Sequence, residues 1–314
     1  MRQTGAMSHP EGLLERRRLP LATGALGLIA LLTGPWAGAA STFVDDTGQS
    51  VSLAAPARRI VSLAPSATEM LFAAGAGSQV IATTEFADEP PAARRIPRLG
   101  DSAAVDLERV LVLRPDVIVL WPAGTGEAQV QRIATLHLPI YRQQVHALAD
   151  LPGSVRRLGE LAGTQPAAEL AARALEERLA RLRARYAQRH PVTVLLQVWN
   201  HPVYTIGGTQ LMSDVLEVCG AHNVFADLTD PGPAVSVESV IARDPEVIIT
   251  TAPGKDAAEW LSDWRKLPGL RAVRTGNLVA FEDQRLSRLG PSVLDAADSL
   301  CELIDAARAR IRPR

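Results

Sequence analysis

The sequence predicts an α/β fold of two Rossmann-like parallel-sheet lobes joined by one long backbone helix, and three observations carry that prediction. A fifteen-residue unit occurs twice, 130 residues apart, as Val105 to Val119 and Val235 to Ile249, with six positions identical. Short β-branched runs alternate with helical stretches in both halves of the chain, the pattern of a parallel sheet covered by helices on both faces. Between the halves, Pro166 to Gln188 contains no glycine and no proline after its first turn, and Leu170, Ala174, Leu175, Leu179, Leu182 and Tyr186 recur there at helical spacing.

The elements follow in order. Arg16-Arg17-Arg18, an apolar run from Leu19 to Leu32, and Pro35-Trp36-Ala37-Gly38-Ala39-Ala40 are the basic, apolar and small-residue regions of a signal peptide over residues 1–40, cleaved after Ala39 or Ala40. Its apolar run is too short to cross a bilayer, which takes about 20 residues. No cysteine stands at the cleavage region, so a lipid anchor is not indicated. The mature chain is expected in the periplasm. A first lobe over residues 41–150 has strand signals at Ile60 to Leu63, Val80 to Thr83, Val117 to Trp121 and from Ile140, with a helix over about 126–136. Ser66 is placed to cap its first helix, with Glu69 completing a capping box. A linking segment, residues 151–190, holds the long helix over about 166–188, with Thr164 as its cap. Lacking glycine, that helix predicts limited lobe motion. The second lobe, residues 191–314, has strands at Val192 to Trp199, Val247 to Thr251 and Asn277 to Phe281, and helices near 210–218, 236–242, 257–266 and 291–308.

In the repeat, Asp106 and Ser236 are good N-cap residues, Pro115 and Pro245 stop the helices, and Glu108 and Glu238 sit at matching places in the first turns. A carboxylate there is favoured by the helix dipole, but the matched spacing points to a shared role. The net charge of −1 gives no general attraction to nucleic acid. There is no G-x-S-x-G elbow, Walker loop or G-x-G-x-x-G after a strand, so no catalytic residue is assigned and no enzyme is expected. The six histidines show no ligand spacing, so neither a metal site nor a cofactor is expected. Cys219 and Cys301, an even pair in an exported chain, point to a disulfide, two buried thiols being the alternative. Aromatic residues are few. Phe86, Trp121, Trp199 and Tyr204 fall at or beyond strand ends, where open parallel sheets bind ligands, and suit a large planar ligand. Trp260 and Trp264 are read as packing residues of one helix.

Arg59-Ile-Val-Ser-Leu-Ala-Pro-Ser-Ala-Thr-Glu69, the loop Phe86-Ala-Asp-Glu-Pro-Pro91, both copies of the repeat, the long helix, and Val215-Leu-Glu-Val-Cys219-Gly with Asn223-Val-Phe225 carry a resemblance that covers the chain after residue 58. By these residues it resembles the helical-backbone, or class III, periplasmic binding proteins of ABC importers, nearest to the members that carry cobalamin. The resemblance implies two lobes joined by one helix, a monomer, and a ligand held in the interlobe cleft for delivery to a permease dimer of the inner membrane. It implies docking roles for Glu108 and Glu238 and a disulfide between Cys219 and Cys301. In the cleft it matches Phe86, Trp121 and Arg288, with Ser66 beside them. Ser102, Val198 and Gly232 stand where the cobalamin carriers have a Trp, a Phe and a Trp, with Trp199 or Tyr204 available to compensate. The implied ligand is cobalamin or a related corrinoid; the alternative is a haem or iron-siderophore receptor on the same fold, with Tyr204 or His201 as iron ligand.

Overall fold

The computed structural model describes residues 41–101 and 104–311; residues 1–40, read above as a signal peptide, and Ser102 lie outside the described residues. An antiparallel pair, β1 (Ser41–Val44) and β2 (Ser50–Leu53), leads into β3 (Ile60–Ser62), α1 (Pro65–Ala73), β4 (Val80–Ala82), α2 (Leu107–Leu113), β5 (Val117–Leu120), α3 (Pro122–Thr125), α4 (Glu127–Ala134) and β6 (Ile140–Arg142). Two helices follow, α5 (Leu151–Ala162) and α6 (Gln165–Tyr186). The second half contains β7 (Val192–Gln197), β8 (Val203–Tyr204), α7 (Leu211–Val218), β9 (Ala221–Asn223), β10 (Ala234–Val235), α8 (Val237–Arg243), β11 (Val247–Thr250), α9 (Gly254–Arg265), α10 (Arg271–Arg274), β12 (Leu278–Ala280) and α11 (Val293–Ile311).

Each lobe is built on a four-stranded parallel sheet, β4-β3-β5-β6 in the first and β12-β11-β7-β9 in the second. Numbered within its own lobe, each sheet has the order 2-1-3-4. The repeat is therefore a repeat of position: α2 and β5 in one lobe correspond to α8 and β11 in the other. Both third strands are buried at every residue, as central strands covered on two faces must be. The repeated helices also end alike. Arg114 (φ 46°) and Asp244 (φ 43°) close them in the left-handed conformation just before the prolines, which cannot continue a helix.

The two lobes share one core. A single apolar cluster includes Ile60, Val119 and Tyr141 of the first lobe, Leu179, Leu182 and Tyr186 of α6, and Val194, Val215 and Leu300 of the second. At 22 residues α6 spans about 33 Å. It packs closely on α5: a Cβ placed on Gly159 would lie 2.3 Å from Cβ of Ala168, so only glycine permits this approach. A disulfide joins Cys219, after α7, to Cys301 in α11.

Two expected caps are corrected. Pro65 takes the first position of α1, so the cap falls on Ala64, and Ser66 Oγ donates instead to Gln143 Oε1 at 3.1 Å. Glu69 likewise makes no capping box; its carboxylate reaches Ser292 of the second lobe. Thr164 precedes α6, but its hydroxyl donates to the Ala74 carbonyl at 2.6 Å and leaves the cap unmade.

Candidate functional site

In a 2-1-3-4 parallel sheet the strand order reverses between the first and third strands, and a crevice opens there at the carboxyl ends. In the first lobe that point lies between β3 and β5, which run into Pro65-Ser66 and Trp121. In the second it lies between β7 and β11, which run into Val198-Trp199 and Thr251-Ala252. Cavities sit at both places.

The larger, about 730 Å³, is lined by second-lobe residues, among them Val198, Trp199, Met212, Gly232, Trp260 and Gln284. The smaller, about 390 Å³, lies between the lobes, with Pro65, Ser66, Phe86 and Trp121 from the first and Gln284, Ser287 and Arg288 from the second. Gln284 and Ser287 line both, so the cavities share a wall.

Trp199 is 58% exposed despite its size, because the chain beyond β7 turns it out of the sheet. It is held by an antiparallel bridge in which Tyr204 N–H donates to the Trp199 carbonyl at 3.1 Å and Val198 N–H to the Tyr204 carbonyl at 2.9 Å. The Trp260 ring meets the Trp199 ring edge to face, with centroids 5.9 Å apart and planes at 68°. Such a corner offers one aromatic face and one edge to a flat ligand. Across the cleft Phe86 is 71% exposed at φ 63°, a conformation in which a bulky residue is rare. Arg288 Nη1 donates to its carbonyl at 3.3 Å, bridging the lobes at the rim of the smaller cavity.

The electrostatics are uneven. Among the described residues, Asp256, Glu259 and Asp283 line the larger cavity with His201 and with no lysine or arginine. The Arg285 guanidinium beside Asp283 holds that carboxyl below its usual range. His201 Nε2 lies 3.0 Å from Asn200 Nδ2 and 3.5 Å from the Asp263 carboxylate. Among the described residues no group of three or more histidines, cysteines or acids could hold a metal ion.

Of the residues singled out in the sequence, Ser66, Phe86, Trp121 and Arg288 line the smaller cavity and Val198, Trp199 and Gly232 the larger. Tyr204 is not among the residues lining these two cavities; it sits in β8, paired with Ala234, and its backbone holds Trp199 in the antiparallel bridge. The reading of Trp260 as a packing residue is corrected. Trp264 is indeed core, 2% exposed, with Nε1 donating to Gln197 Oε1 at 2.8 Å, whereas Trp260 one turn earlier faces the cavity. The available signal was its company, since Asp256 and Glu259 stand on the same side of α9 at spacings of four and one. Asn200, Gln210 and Gln284 were also missed; isolated polar residues in loops carry no periodicity to betray them.

Glu108 and Glu238 are both exposed, away from either cavity, in the first turns of α2 and α8. Asp106 Oδ1 accepts from Arg109 N–H at 2.9 Å, and Ser236 Oγ accepts from Ser239 N–H at 3.2 Å. The Glu238 carboxyl is held below its usual range by its own backbone N–H and by the Ser236 hydroxyl, and so stays ionised at neutral pH.

The profile of the family described as periplasmic binding protein matches residues 60–284. The vitamin B12-binding protein of Vibrio cholerae is 32% identical over 269 residues, covering 86% of this chain and 97% of the relative. That of Pectobacterium atrosepticum is 33% identical over 249 residues, covering 78% and 87%. Among solved structures, periplasmic vitamin B12 binding protein BtuF of Vibrio cholerae superposes with a TM-score of 0.73 at 32% identity, covering 81% of this chain and 98% of that one. The periplasmic heme-binding protein RhuT from Roseiflexus, at 24% identity and a TM-score of 0.68, shares the fold.

Proposed function

Since the chain belongs to the periplasmic binding protein family, we propose that it captures cobalamin or a related corrinoid in its interlobe cleft and delivers it to the permease dimer of an ABC importer. It is a binding protein and not an enzyme. The observation that carries the ligand is the pair of aromatic-walled cavities sharing Gln284 and Ser287 at the two facing switch points. Together they exceed the roughly 300–1,000 Å³ usual for small-molecule sites, as a bulky planar chelate requires. In this reading Trp199, Trp260, Phe86 and Trp121 contact the ring, and Ser66, Val198, Gly232 and Arg288 complete the wall.

Charge separates the corrinoid from haem. The amide arms of a corrinoid can donate hydrogen bonds to Asp256 and Glu259, whereas the carboxylates of haem would face them, with Arg288 the one arginine or lysine among the described residues that line the two cavities. The mature protein, exported by a signal peptide over residues 1–40 and acting as a monomer, would meet the permease through Glu108 on one lobe and Glu238 on the other.

Titration of the purified protein with cyanocobalamin tests the reading. Binding at micromolar or tighter affinity, with a change in the visible spectrum, is the expected result; neither heat nor spectral change at high protein concentration would refute it. Haemin run in parallel is expected to bind far more weakly. A strong Soret shift with haemin, lost in His201→Ala, would establish the haem reading instead.

A further inference from the structure

Eight large apolar side chains are conspicuously exposed among the described residues. Phe86 and Trp199 belong to the cleft. Of the other six, four lie on the two short repeated helices: Leu111 (50% exposed) and Val112 (80%) on α2, Val237 (37%) and Ile241 (46%) on α8. Nothing in the cores of the lobes needs them there, since Val110 and Val240 already bury the inward faces of these helices.

Their positions repeat with the glutamates. Leu111 and Ile241 each stand three residues after Glu108 and Glu238, adjacent on the same helix surface. Matched N-caps and matched left-handed ends hold the two helices at equivalent places in two sheets of identical order, so each lobe presents an exposed glutamate beside a half-exposed aliphatic group. We propose that Leu111 and Ile241 are the apolar halves of two equivalent docking knobs, each seating in a hollow beside a basic group on one subunit of the two-fold permease.

The charge and the duplication select this occupant. A partner that meets both knobs must offer two copies of one basic and apolar surface, which a symmetric dimer does by construction. The carboxylate contributes orientation and encounter rate and is screened by salt; the aliphatic contact contributes salt-independent dwell time. Val112 and Val237 lie beside these pairs and extend the apolar patch without obeying the repeat. The inference rests on the receptor reading above, and its test separates the two.

The test compares wild type, Leu111→Ser, Ile241→Ser and the double variant for binding to the importer of the same cell in lipid nanodiscs, with cyanocobalamin affinity measured alongside. Each single substitution is expected to weaken docking about tenfold and the double about a hundredfold, as independent sites combine. The loss should be the same at low and high salt, whereas Glu108→Gln and Glu238→Gln should lose most at low salt. Cyanocobalamin affinity should not change in any variant. Unaltered docking by the double variant overturns the inference while leaving the receptor reading intact. Wild type that binds the ligand but no importer overturns both. Concentration-dependent dimers of the wild type, abolished in the double variant, would reassign the patch to a second copy of this chain.

Discussion

Glu69 shows how far one residue's role can depart from its sequence context. Its place three residues after Ser66 matches a capping box, yet the carboxylate is 7% exposed and accepts from the backbone N–H and the hydroxyl of Ser292 in the other lobe. Gly290 belongs to the same contact, since a Cβ there would lie 2.6 Å from Glu69 Oε2. Burial pushes the Glu69 carboxyl above its ordinary 4.5, and the Ser292 donors and Arg288 only partly offset it. The folded state therefore holds this proton more tightly than the unfolded state. The associated stability is fully present below pH 4.5 and is lost as pH rises through the folded value. Glu69→Gln keeps the shape and the acceptor and cannot ionise, so its stability should vary less with pH than wild type above about pH 4.5 and be no lower at neutrality. Glu69→Ala should cost about 1–3 kcal/mol at every pH, because the Ser292 N–H loses its acceptor. Thermal melts of the three proteins across that range check both statements; parallel curves for wild type and the Gln variant would contradict them.

At the level of the element, the repeat was legible because its signals are local. Asp106 and Ser236 cap α2 and α8 as their side chains suggest, and the prolines end both helices. The caps of α1 and α6 were misread because Pro65 claimed the first helical position, and because the Thr164 hydroxyl found a carbonyl brought close by the fold. Helix α9 illustrates the same limit for side chains. Spacing by four puts Trp260 and Trp264 on one helix side without saying where the core ends along it. Trp264→Ala should cost about 3–5 kcal/mol in stability by opening a cavity under the second sheet. Trp260→Ala should change stability by at most about 1 kcal/mol, yet weaken cyanocobalamin binding about tenfold or more. Denaturant melts together with ligand titrations separate the two, and equal effects on both measurements would remove Trp260 from the site.

For the whole molecule, the governing fact is one core running through α6 into both lobes. Cross-links from α6 to α11 reinforce it, with Arg178 paired to Asp295 and Asp298. A molecule of this kind should unfold in one transition and not lobe by lobe. The disulfide closes a separation of 82 residues within the second lobe, and its removal in the Cys219→Ala, Cys301→Ala double variant should cost about 4–5 kcal/mol in the chain-entropy view. Urea unfolding followed by both far-ultraviolet dichroism and tryptophan fluorescence is the measurement. Coincident curves shifted to lower urea are expected; two separated transitions in the wild type would show that the lobes unfold independently.

The sequence alone determined the parallel-sheet lobes, the long helix and the repeated unit, and it named several of the residues that line the two cavities, because alternation, helical periodicity, caps and prolines act over a few neighbours along the chain. Trp121, Trp199 and Arg288 could be named from strand ends and family pattern before their surroundings were known. Only the tertiary structure decided that Glu69 joins the lobes, that the Tyr204 backbone holds Trp199, and that Trp260 completes the aromatic corner. Those outcomes depend on which groups meet across large sequence separations, and packing, desolvation and long-range hydrogen bonds leave no local periodicity to read.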